Sequence, residues 1–364
     1  MKRSIISWKK SMLSIIFCIV AMALLGCVSD DELTSDDFLS RYENGEDSAS
    51  EVLLLEEDTD EDLAVDDLLY EDDNEDLVSS RTYITIRGHR ISTSRTELAI
   101  DFWLTSEEIV SLGYMTNLKR LDLIDTEISD ISPLANLTNL EILWSTRNQF
   151  SDLSPLADLK NLEVLVLVDS DISDLNPLTE LTNLEWLVLN VNQISDLSPL
   201  AGLTNLGFLS VGYNQVSDLE PISELTNLWH LSLGINQIND LSPLAGLTNL
   251  EQLTLTHNQI SDLEPLSGLT NLHHLQLGNN QIDDLEPLAG LTSLDRLGLS
   301  YNQISDLNPL VGLMSLTNLN LSNNQINDLS SLNGLTNLER LYLNFNPIAD
   351  WSPVDHVAFV SGRP

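Results

Sequence analysis

Cysteine is the scarcest informative residue in this chain. Its 364 residues include two cysteines, Cys18 and Cys27, and both lie near the N-terminus. Everything after position 27 therefore lacks the thiols that a disulfide framework or a thiolate metal site requires. The sequence predicts a domain that is stabilised by packing alone and that needs no cofactor.

Basic residues are also few. The chain has 16 Lys and Arg against 56 Asp and Glu, and no Lys or Arg lies between Lys160 and Arg296. Because nucleic-acid binding depends on cationic contacts to phosphates, this balance excludes a nucleic-acid partner. Residues 81–364 alone hold 34 acidic and 11 basic residues, a net charge of −23, which favours a cationic or apolar partner.

Long apolar runs are absent too. The longest, Ser11 to Leu25, is shorter than the roughly 20 residues of a membrane-spanning helix. It follows four basic residues, and a basic start with a short apolar run is typical of an export signal. Its end, Leu24-Leu25-Gly26-Cys27, resembles a bacterial lipobox. The resemblance implies cleavage before Cys27 and acylation of that cysteine with at least two chains, which anchor stably.

We therefore predict a signal peptide at 1–26 and an extracytoplasmic, membrane-anchored lipoprotein of the bacterial cell surface or envelope. An uncleaved signal anchor and a plain secretory peptide are the alternatives.

Residues 28–80 carry 22 Asp or Glu and one basic residue, Arg41. Self-repulsion at that density opposes a core, so 27–80 is predicted to be a lipidated cysteine followed by a disordered tether. The alternative is that its acidic and apolar clusters bind a partner or divalent cations.

A unit of 22 residues recurs over 118–354, and Leu184 to Asn205 is one copy of it. Positions one, four and six are apolar in every unit except the second, which has Ser145 at position six, and the alternation predicts a short strand. No unit can bury its leucines alone, so stacked neighbours must form a continuous core. The eleven units start at Leu118, Leu140, Leu162, Leu184, Leu206, Leu228, Leu250, Leu272, Leu294, Leu316 and Leu338.

Two polar positions recur with the leucines. Position nine is Asn in nine units, and its carboxamide can donate and accept at once within a buried turn, so stacked copies predict an asparagine ladder. Thr126 and Ser170 replace it in the first and third units, and the ladder should be weaker there. Position thirteen is Asp in all eleven units. An Asp before a turn accepts backbone N–H bonds; a calcium-binding column of carboxylates is the alternative.

A polar residue followed by Pro, as at Ser198-Pro199, occurs in ten of the eleven units and predicts a cap and a single 3₁₀-like helical turn. The whole pattern, L-x-x-L-x-L-x-x-N-x-I-x-D-L-x-P-L-x-x-L-T-N, resembles the 22-residue class of leucine-rich repeats found in bacterial internalin-like proteins. The resemblance implies a leucine-rich repeat solenoid, an α/β-type horseshoe with a parallel concave β-sheet and short 3₁₀ segments on the convex side. It also implies that the concave face binds another macromolecule.

Both ends of the array are predicted to carry caps, at 81–117 and 355–364. In the first, Thr82 to Arg87 alternates like a strand, Gly88 permits a turn and Leu98 to Ile100 is an irregular first strand. Thr105-Ser106-Glu107-Glu108 then predicts a capping box and a helix. The basic cluster of Arg81, Arg87, Arg90 and Arg95 is expected to pair with the acidic tether, or else to bind an anionic polymer.

The non-leucine strand positions of the units should point out of the concave sheet, about 4.8 Å apart from one unit to the next. Aromatic and apolar side chains exposed in such rows are typical anchors of interfaces. The predicted ligand-binding residues are Trp144, Trp186, Phe208, Tyr213, His230, Gln252, His274, Tyr301 and Tyr342. A structural alternative is that bulky β-formers simply favour the strands.

Other chemistry is disfavoured. His230 and His274 lie two units apart, about 10 Å by the same spacing, which is too far to share one metal ion. No nucleophile, base and orienting acid come together, so we predict neither catalytic residues nor a metal site. The sequence predicts a scaffold that binds a protein. Glycan or cell-wall polymer binding and a purely structural surface role are the alternatives.

Overall fold

The computed structural model describes residues 82–363. The predicted signal peptide, the lipidation of Cys27 and the acidic tether lie outside these residues and stay predictions.

A β-hairpin opens the described region. Strand β1 spans Tyr83–Ile86 and strand β2 spans His89–Ser92, and the two are antiparallel. The two-residue loop between them has a positive φ at both positions, 47° at Arg87 and 81° at Gly88. This combination defines a type I′ turn, whose twist matches that of the strands. Ile84 and Ile86 point inward from the hairpin and are buried.

Among the described residues there is one α-helix, α1, which spans Ser106–Leu112. The Thr105 side chain accepts a hydrogen bond from the Glu108 backbone N–H at 3.3 Å, and the Glu108 carboxylate accepts one from the Thr105 N–H at 2.9 Å. The predicted capping box is therefore confirmed. The apolar face of the helix, Ile109 and Leu112, is buried together with the following Met115.

A thirteen-stranded parallel sheet forms the rest of the described fold, with the strands in chain order across it. Strands of adjacent units pair in register, so that position three of one unit faces position three of the next. The strands are β3 Glu97–Ile100, β4 Arg120–Ile124, β5 Ile142–Thr146, β6 Val164–Val168, β7 Trp186–Val188, β8 Phe208–Ser210, β9 His230–Ser232, β10 Gln252–Thr254, β11 His274–Gln276, β12 Arg296–Gly298, β13 Asn318–Asn320, β14 Arg340–Tyr342 and β15 Phe359–Ser361.

Leucine columns form the core on one side of this sheet. In the unit that starts at Leu184, that residue, Leu187 and Leu189 are all 0% exposed, and the other units repeat the pattern. Burying one such side chain stabilises the fold by about 2 kcal/mol, provided that the neighbouring unit is in place. The predicted continuous core between stacked units is confirmed.

The side of each unit opposite the strand is a short 3₁₀ turn, as predicted. In ten of the eleven turns a proline lies at the first or second position, where its missing N–H does no harm. The turns are Ser132–Asn136, Ser154–Leu156, Asn176–Leu178, Ser198–Leu200, Glu220–Ile222, Ser242–Leu244, Glu264–Leu266, Glu286–Leu288, Asn308–Gly312, Ser330–Leu332 and Ser352–Val354.

The residue before the proline does not cap the turn, contrary to the prediction. Ser198 is the first residue of its turn, and Leu197 occupies the cap position without a side-chain hydrogen bond. The aspartate at position thirteen takes the role instead: the Asp196 carboxylate accepts the backbone N–H of Ser198 at 2.8 Å. All eleven aspartates make this bond, which confirms their predicted role.

The asparagine ladder is present and joins consecutive units. The Asn214 side chain donates to the carbonyl of Leu189 in the preceding unit at 3.0 Å and to two carbonyls of its own turn. Its Oδ1 accepts the backbone N–H of Ile194, also in the preceding unit, at 2.9 Å. One side chain thus satisfies four backbone groups across the joint between two units.

The ladder is broken at one joint. Ser170 stands at position nine of the third unit, and its hydroxyl bonds only to Val168 within its own turn. The turns that lack the asparagine also have a second left-handed residue, Glu127 (φ 54°) in the first unit and Asp171 (φ 55°) in the third. The gap in the ladder predicted from Ser170 therefore lies between units two and three.

Replacing ladder residues should change stability in opposite directions. Asn214→Ala removes the partner of four backbone groups, so we expect the free energy of unfolding to fall by about 3 kcal/mol. Ser170→Asn with Asp171→Gln restores the regular turn and removes a left-handed aspartate, so we expect a gain of about 1 kcal/mol. Urea unfolding of the parent and both variants measures these changes. Equal stability of all three proteins would contradict the role given to the ladder.

Candidate functional site

A second apolar layer covers part of the sheet face opposite the leucine core. Side chains at alternate strand positions point to opposite faces, so Leu187 lies in the core while Trp186 and Val188 lie on the other, concave face. The buried apolar residues that are separate from the leucine core are Trp144, Val164, Val166, Val168, Trp186, Val188 and Phe208. They belong to units two to five, which together form a continuous apolar stretch.

Aromatic rings from three consecutive strands form a stack within this stretch. The ring of Trp186 lies 4.5 Å from that of Phe208, with planes 1° apart, and the ring of His230 follows at 4.0 Å and 5°. The in-register pairing of β7, β8 and β9 aligns the three side chains. Offset stacking of this kind stabilises a ring pair beyond the area that it buries.

Trp229 completes the cluster and is a residue that the sequence analysis missed. Its ring meets those of Trp186, Phe208 and His230 edge-on, at centroid distances of 5.9, 5.7 and 5.7 Å. It can do so because the equivalent position of the preceding unit is Gly207, where a Cβ would lie 2.9 Å from the indole nitrogen. The sequence feature that indicates this contact is a glycine at position two of one unit followed by a tryptophan at position two of the next.

The prediction that these side chains face solvent was wrong for the first part of the array. Trp144, Trp186 and Phe208 are 2%, 5% and 3% exposed. Rings stacked at 4.0–4.5 Å cover one another's faces. The alternation of strand positions predicts only that these side chains leave the sheet on the concave side, and it does not predict this mutual burial. The indole N–H of Trp144 is buried and has no hydrogen-bond partner within residues 82–363.

The predicted residues in later units are more accessible. Tyr213, His230, Gln252, His274 and Tyr342 are half-buried, and Tyr301 is 48% exposed. The structure brings His230 and Gln252 together: the His230 Nδ1 lies 3.0 Å from the Gln252 Oε1. Tyr342 contacts Phe359 of the terminal strand, with the rings 5.4 Å apart. The predicted set is thus spread along the array and does not converge on a single pocket.

His230 is held in its neutral form. The pKa of His230 is lowered to about 4, chiefly by burial and to a smaller extent by the charge of His274, while the hydrogen bond to Gln252 opposes the shift. Within residues 82–363, no three His, Cys, Asp or Glu side chains cluster as metal ligands would.

A row of strained residues borders the concave face. Position eight of the units, just past the strand, has a positive φ throughout: it is 59° at Val191, 56° at Tyr213 and 56° at Ile235. Asn and Gly suit this conformation, and Asn279 and Asn323 adopt it in later units. For the β-branched Val191 and Ile235 this left-handed conformation is strongly disfavoured. We call Val191, Tyr213 and Ile235 the apolar rim.

The first unit adds one buried ion pair to this face. The Arg120 guanidinium donates to the Asp122 carboxylate at 2.7 Å. Burial raises the pKa of Asp122, and the bonds from Arg120 oppose that shift. The pair closes the N-terminal end of the apolar stretch with polar groups.

The comparisons with known proteins agree with this architecture. The family described as leucine rich repeats (2 copies) matches residues 182–224, 226–268, 248–290, 270–312, 292–333 and 315–356. The internalin InlF from Listeria monocytogenes is 37% identical to this chain, with a TM-score of 0.70, and the alignment covers 76% of this chain and 91% of InlF. Internalin C2 from the same organism is 40% identical, with a TM-score of 0.50, over 53% of this chain and 83% of its own.

A more distant structure shares the fold alone. The leucine-rich repeat ectodomain of the plant receptor kinase GASSHO1/SCHENGEN3 from Arabidopsis thaliana, solved in complex with Casparian strip integrity factor 2, is 22% identical with a TM-score of 0.50. The alignment covers 69% of this chain and 38% of that one. No curated protein matches the chain significantly. Within residues 82–363, no helix combines the length and the apolar character that crossing a bilayer needs.

The neutral state of His230 predicts a pH dependence of stability. Its folded pKa of about 4 lies below the ordinary value of 6.5, so the unfolded chain binds the proton first as the pH falls. The contribution of His230 to stability is therefore complete above about pH 6.5 and declines towards pH 4. His230→Gln removes the titrating group, so the variant should lose less stability than the parent over this interval. Urea unfolding at pH 7, 6, 5 and 4.5 tests this; parallel curves would contradict it.

Proposed function

Because this chain belongs to the leucine-rich repeat proteins of the internalin class, we propose that it binds a protein ligand on its concave surface. The fold is commonly a protein-binding scaffold, and the plant ectodomain noted above was solved with a bound partner. The proposed surface consists of the aromatic cluster around Phe208 and the adjacent apolar rim.

The observation that carries this proposal is the backbone strain at the apolar rim. A left-handed conformation costs an ordinary residue about 1–2 kcal/mol. Two later units meet the same backbone requirement with asparagine, at Asn279 and Asn323. Val191, Tyr213 and Ile235 are thus retained at a cost in stability, half-buried and not part of the leucine core. The left-handed backbone recurs at position eight of every unit, so it is the choice of β-branched residues there, where asparagine would fit, that marks a functional surface.

The neighbourhood of the rim supports a polypeptide ligand. The rim belongs to units four to six, the same units that supply Trp186, Phe208 and His230. Aromatic side chains are the commonest anchors of protein interfaces, where they provide a large apolar area at a small loss of conformational entropy. These units also lie in the part of the chain without Lys or Arg, so the ligand would meet an apolar surface with no cationic groups around it.

The rim allows a test that separates binding from folding. Val191→Asn combined with Ile235→Asn replaces strained apolar residues with the residue that the array itself uses at this position. Stability should be unchanged or higher, because the left-handed strain is relieved. Affinity for the protein ligand should fall by about tenfold or more, because the apolar anchors are lost.

The experiment starts from the full chain as bait in cell-surface extracts, followed by titration of the identified ligand with purified variants. Val311→Ala with Met314→Ala is the matched control, since both residues are exposed apolar side chains at the 3₁₀ side, 49% and 51% accessible. Equal affinities of the rim variant and the parent would sink the concave-surface proposal. Displacement of the ligand by simple sugars would instead favour the glycan alternative.

We also propose that the protein is a lipid-anchored, extracytoplasmic scaffold without enzymatic activity. The support is the N-terminal segment, in which basic residues are followed by an apolar run and then by Leu24-Leu25-Gly26-Cys27.

The anchor is tested by partition into a detergent phase. In a bacterial host the parent should enter the detergent phase and carry an acylated N-terminal cysteine by mass spectrometry, whereas Cys27→Ser should stay in the aqueous phase. Cys18→Ser is the control, because that cysteine lies within the apolar run and should be removed with it. If Cys27→Ser partitions like the parent, the anchor is not a lipid on this residue.

A further inference from the structure

The N-terminal cap carries an exposed surface of aromatic and cationic side chains that the proposed function does not use. Tyr83 is 43% exposed and Trp103 is 56% exposed, and Arg87 and Arg90 are also exposed. Together with the half-buried Phe102, these residues form what we call the cap surface. Large exposed aromatic side chains are unusual on a free surface and mark a site of interaction.

Both arginines lie flat on aromatic rings. The guanidinium carbon of Arg87 is 4.1 Å from the centre of the Phe102 ring and 5.3 Å from that of Trp103, and that of Arg90 is 3.5 Å from the Tyr83 ring. Stacking fixes the plane of a guanidinium and leaves its in-plane N–H groups pointing sideways. Within residues 82–363, no carboxylate lies within 4.0 Å of either guanidinium. The Glu108 carboxylate accepts the backbone N–H of Arg87 at 2.6 Å and forms no ion pair with its guanidinium, so both guanidinium groups are left to donate to an external anion.

The backbone at Arg87 supports the same inference independently. The type I′ turn of the hairpin requires left-handed residues, and Asn-Gly is its preferred sequence. The chain instead has Arg87 there, with a φ of 47°. An arginine at this position sacrifices some stability of the turn, which points to a role for its side chain outside the hairpin.

Charge makes this surface distinctive within the molecule. Residues 82–96 contain three arginines and no Asp or Glu, whereas residues 81–364 have a net charge of −23. Residues 97–108, which include Phe102 and Trp103, add four acidic residues, so the positive charge is confined to the hairpin, and an anion that approaches the array is repelled elsewhere. The planar fork of a guanidinium matches a carboxylate in two parallel hydrogen bonds.

We propose that the cap surface binds an acidic polysaccharide, with the carboxylates on Arg87 and Arg90 and the sugar rings against Trp103 and Tyr83. The two arginines sit at the turn and on β2, while Tyr83 lies four residues before Arg87, about 13 Å along an extended strand. That length suits a chain of several sugars better than a single anion. The exposed rings favour a sugar over an acidic peptide, because flat aromatic faces stack on sugar rings and add nothing to recognition of charge alone.

The test uses the full chain and three probes of matched length in isothermal titration calorimetry. Hexagalacturonate carries carboxylates on sugars, maltohexaose has the sugars without the charge, and hexaglutamate has the charge without the sugars. Hexagalacturonate should bind at least about tenfold more tightly than either of the others, and its affinity should fall as salt is raised. Equal binding of hexaglutamate would identify an acidic polypeptide as the occupant and overturn the proposal; so would equal binding of maltohexaose, or no binding of hexagalacturonate.

Variants locate the site and separate it from folding. Arg87→Asn gives the turn its preferred Asn-Gly sequence, so the hairpin should be retained while affinity for hexagalacturonate falls about tenfold. Trp103→Ala should weaken hexagalacturonate more than hexaglutamate. Arg147→Asn is the matched control, because Arg147 is also exposed and left-handed, with a φ of 55°, but lies outside the cap. Unchanged affinity in Arg87→Asn, or an equal loss in Arg147→Asn, would overturn the assignment to the cap surface.

Discussion

The structure depends on one constraint: no 22-residue unit can bury its own leucines, so every unit is stable only against its neighbours. The strand spacing of about 4.8 Å sets the distance at which this must happen, and everything in the repeat serves that spacing. The leucines fill the space between units, and the asparagines satisfy the backbone groups that would otherwise be buried there without partners. The aspartates close the 3₁₀ turns that bring the chain back to the next strand. Because these tasks use fixed positions, only the strand positions on the other face and the rim are left to vary.

That division explains what the sequence predicted well. The sheet, the 3₁₀ turns, the ladder and the gap in it follow from residues whose roles are local or act between adjacent units, such as Asn214 and Ser170. The capping box at Thr105 is also local, because its two hydrogen bonds join residues three positions apart. The sequence misled at Ser198, where two polar residues competed for one capping role and the aspartate two positions earlier had the better geometry.

The candidate surface was harder to predict because it depends on contacts between side chains of three or more units. Strand register predicted that Trp186, Phe208 and His230 would lie side by side, but not that their rings would stack and cover one another. Trp229 was missed because position two is polar or charged in most other units, and Gly207 in the preceding unit leaves the space in which the indole lies across the cluster. The left-handed backbone of Val191 and Ile235 has no signal in those residues themselves. The sequence signal for a left-handed residue at position eight is the asparagine that stands there in other units.

The broken joint at Ser170 divides the array unequally. Two units lie on the side of the N-terminal cap, and nine lie beyond, starting with the unit that contains Ser170; the aromatic cluster begins one unit further on, at Trp186. Units two and three compensate in their backbones, because β5 and β6 pair over five residues where β7 and β8 pair over three. This joint therefore exchanges side-chain hydrogen bonds in the turn for backbone hydrogen bonds in the sheet. Backbone pairing accepts any side chain, so the early units can vary at position nine without losing contact with their neighbours, and the two ends of the array are held together by different means.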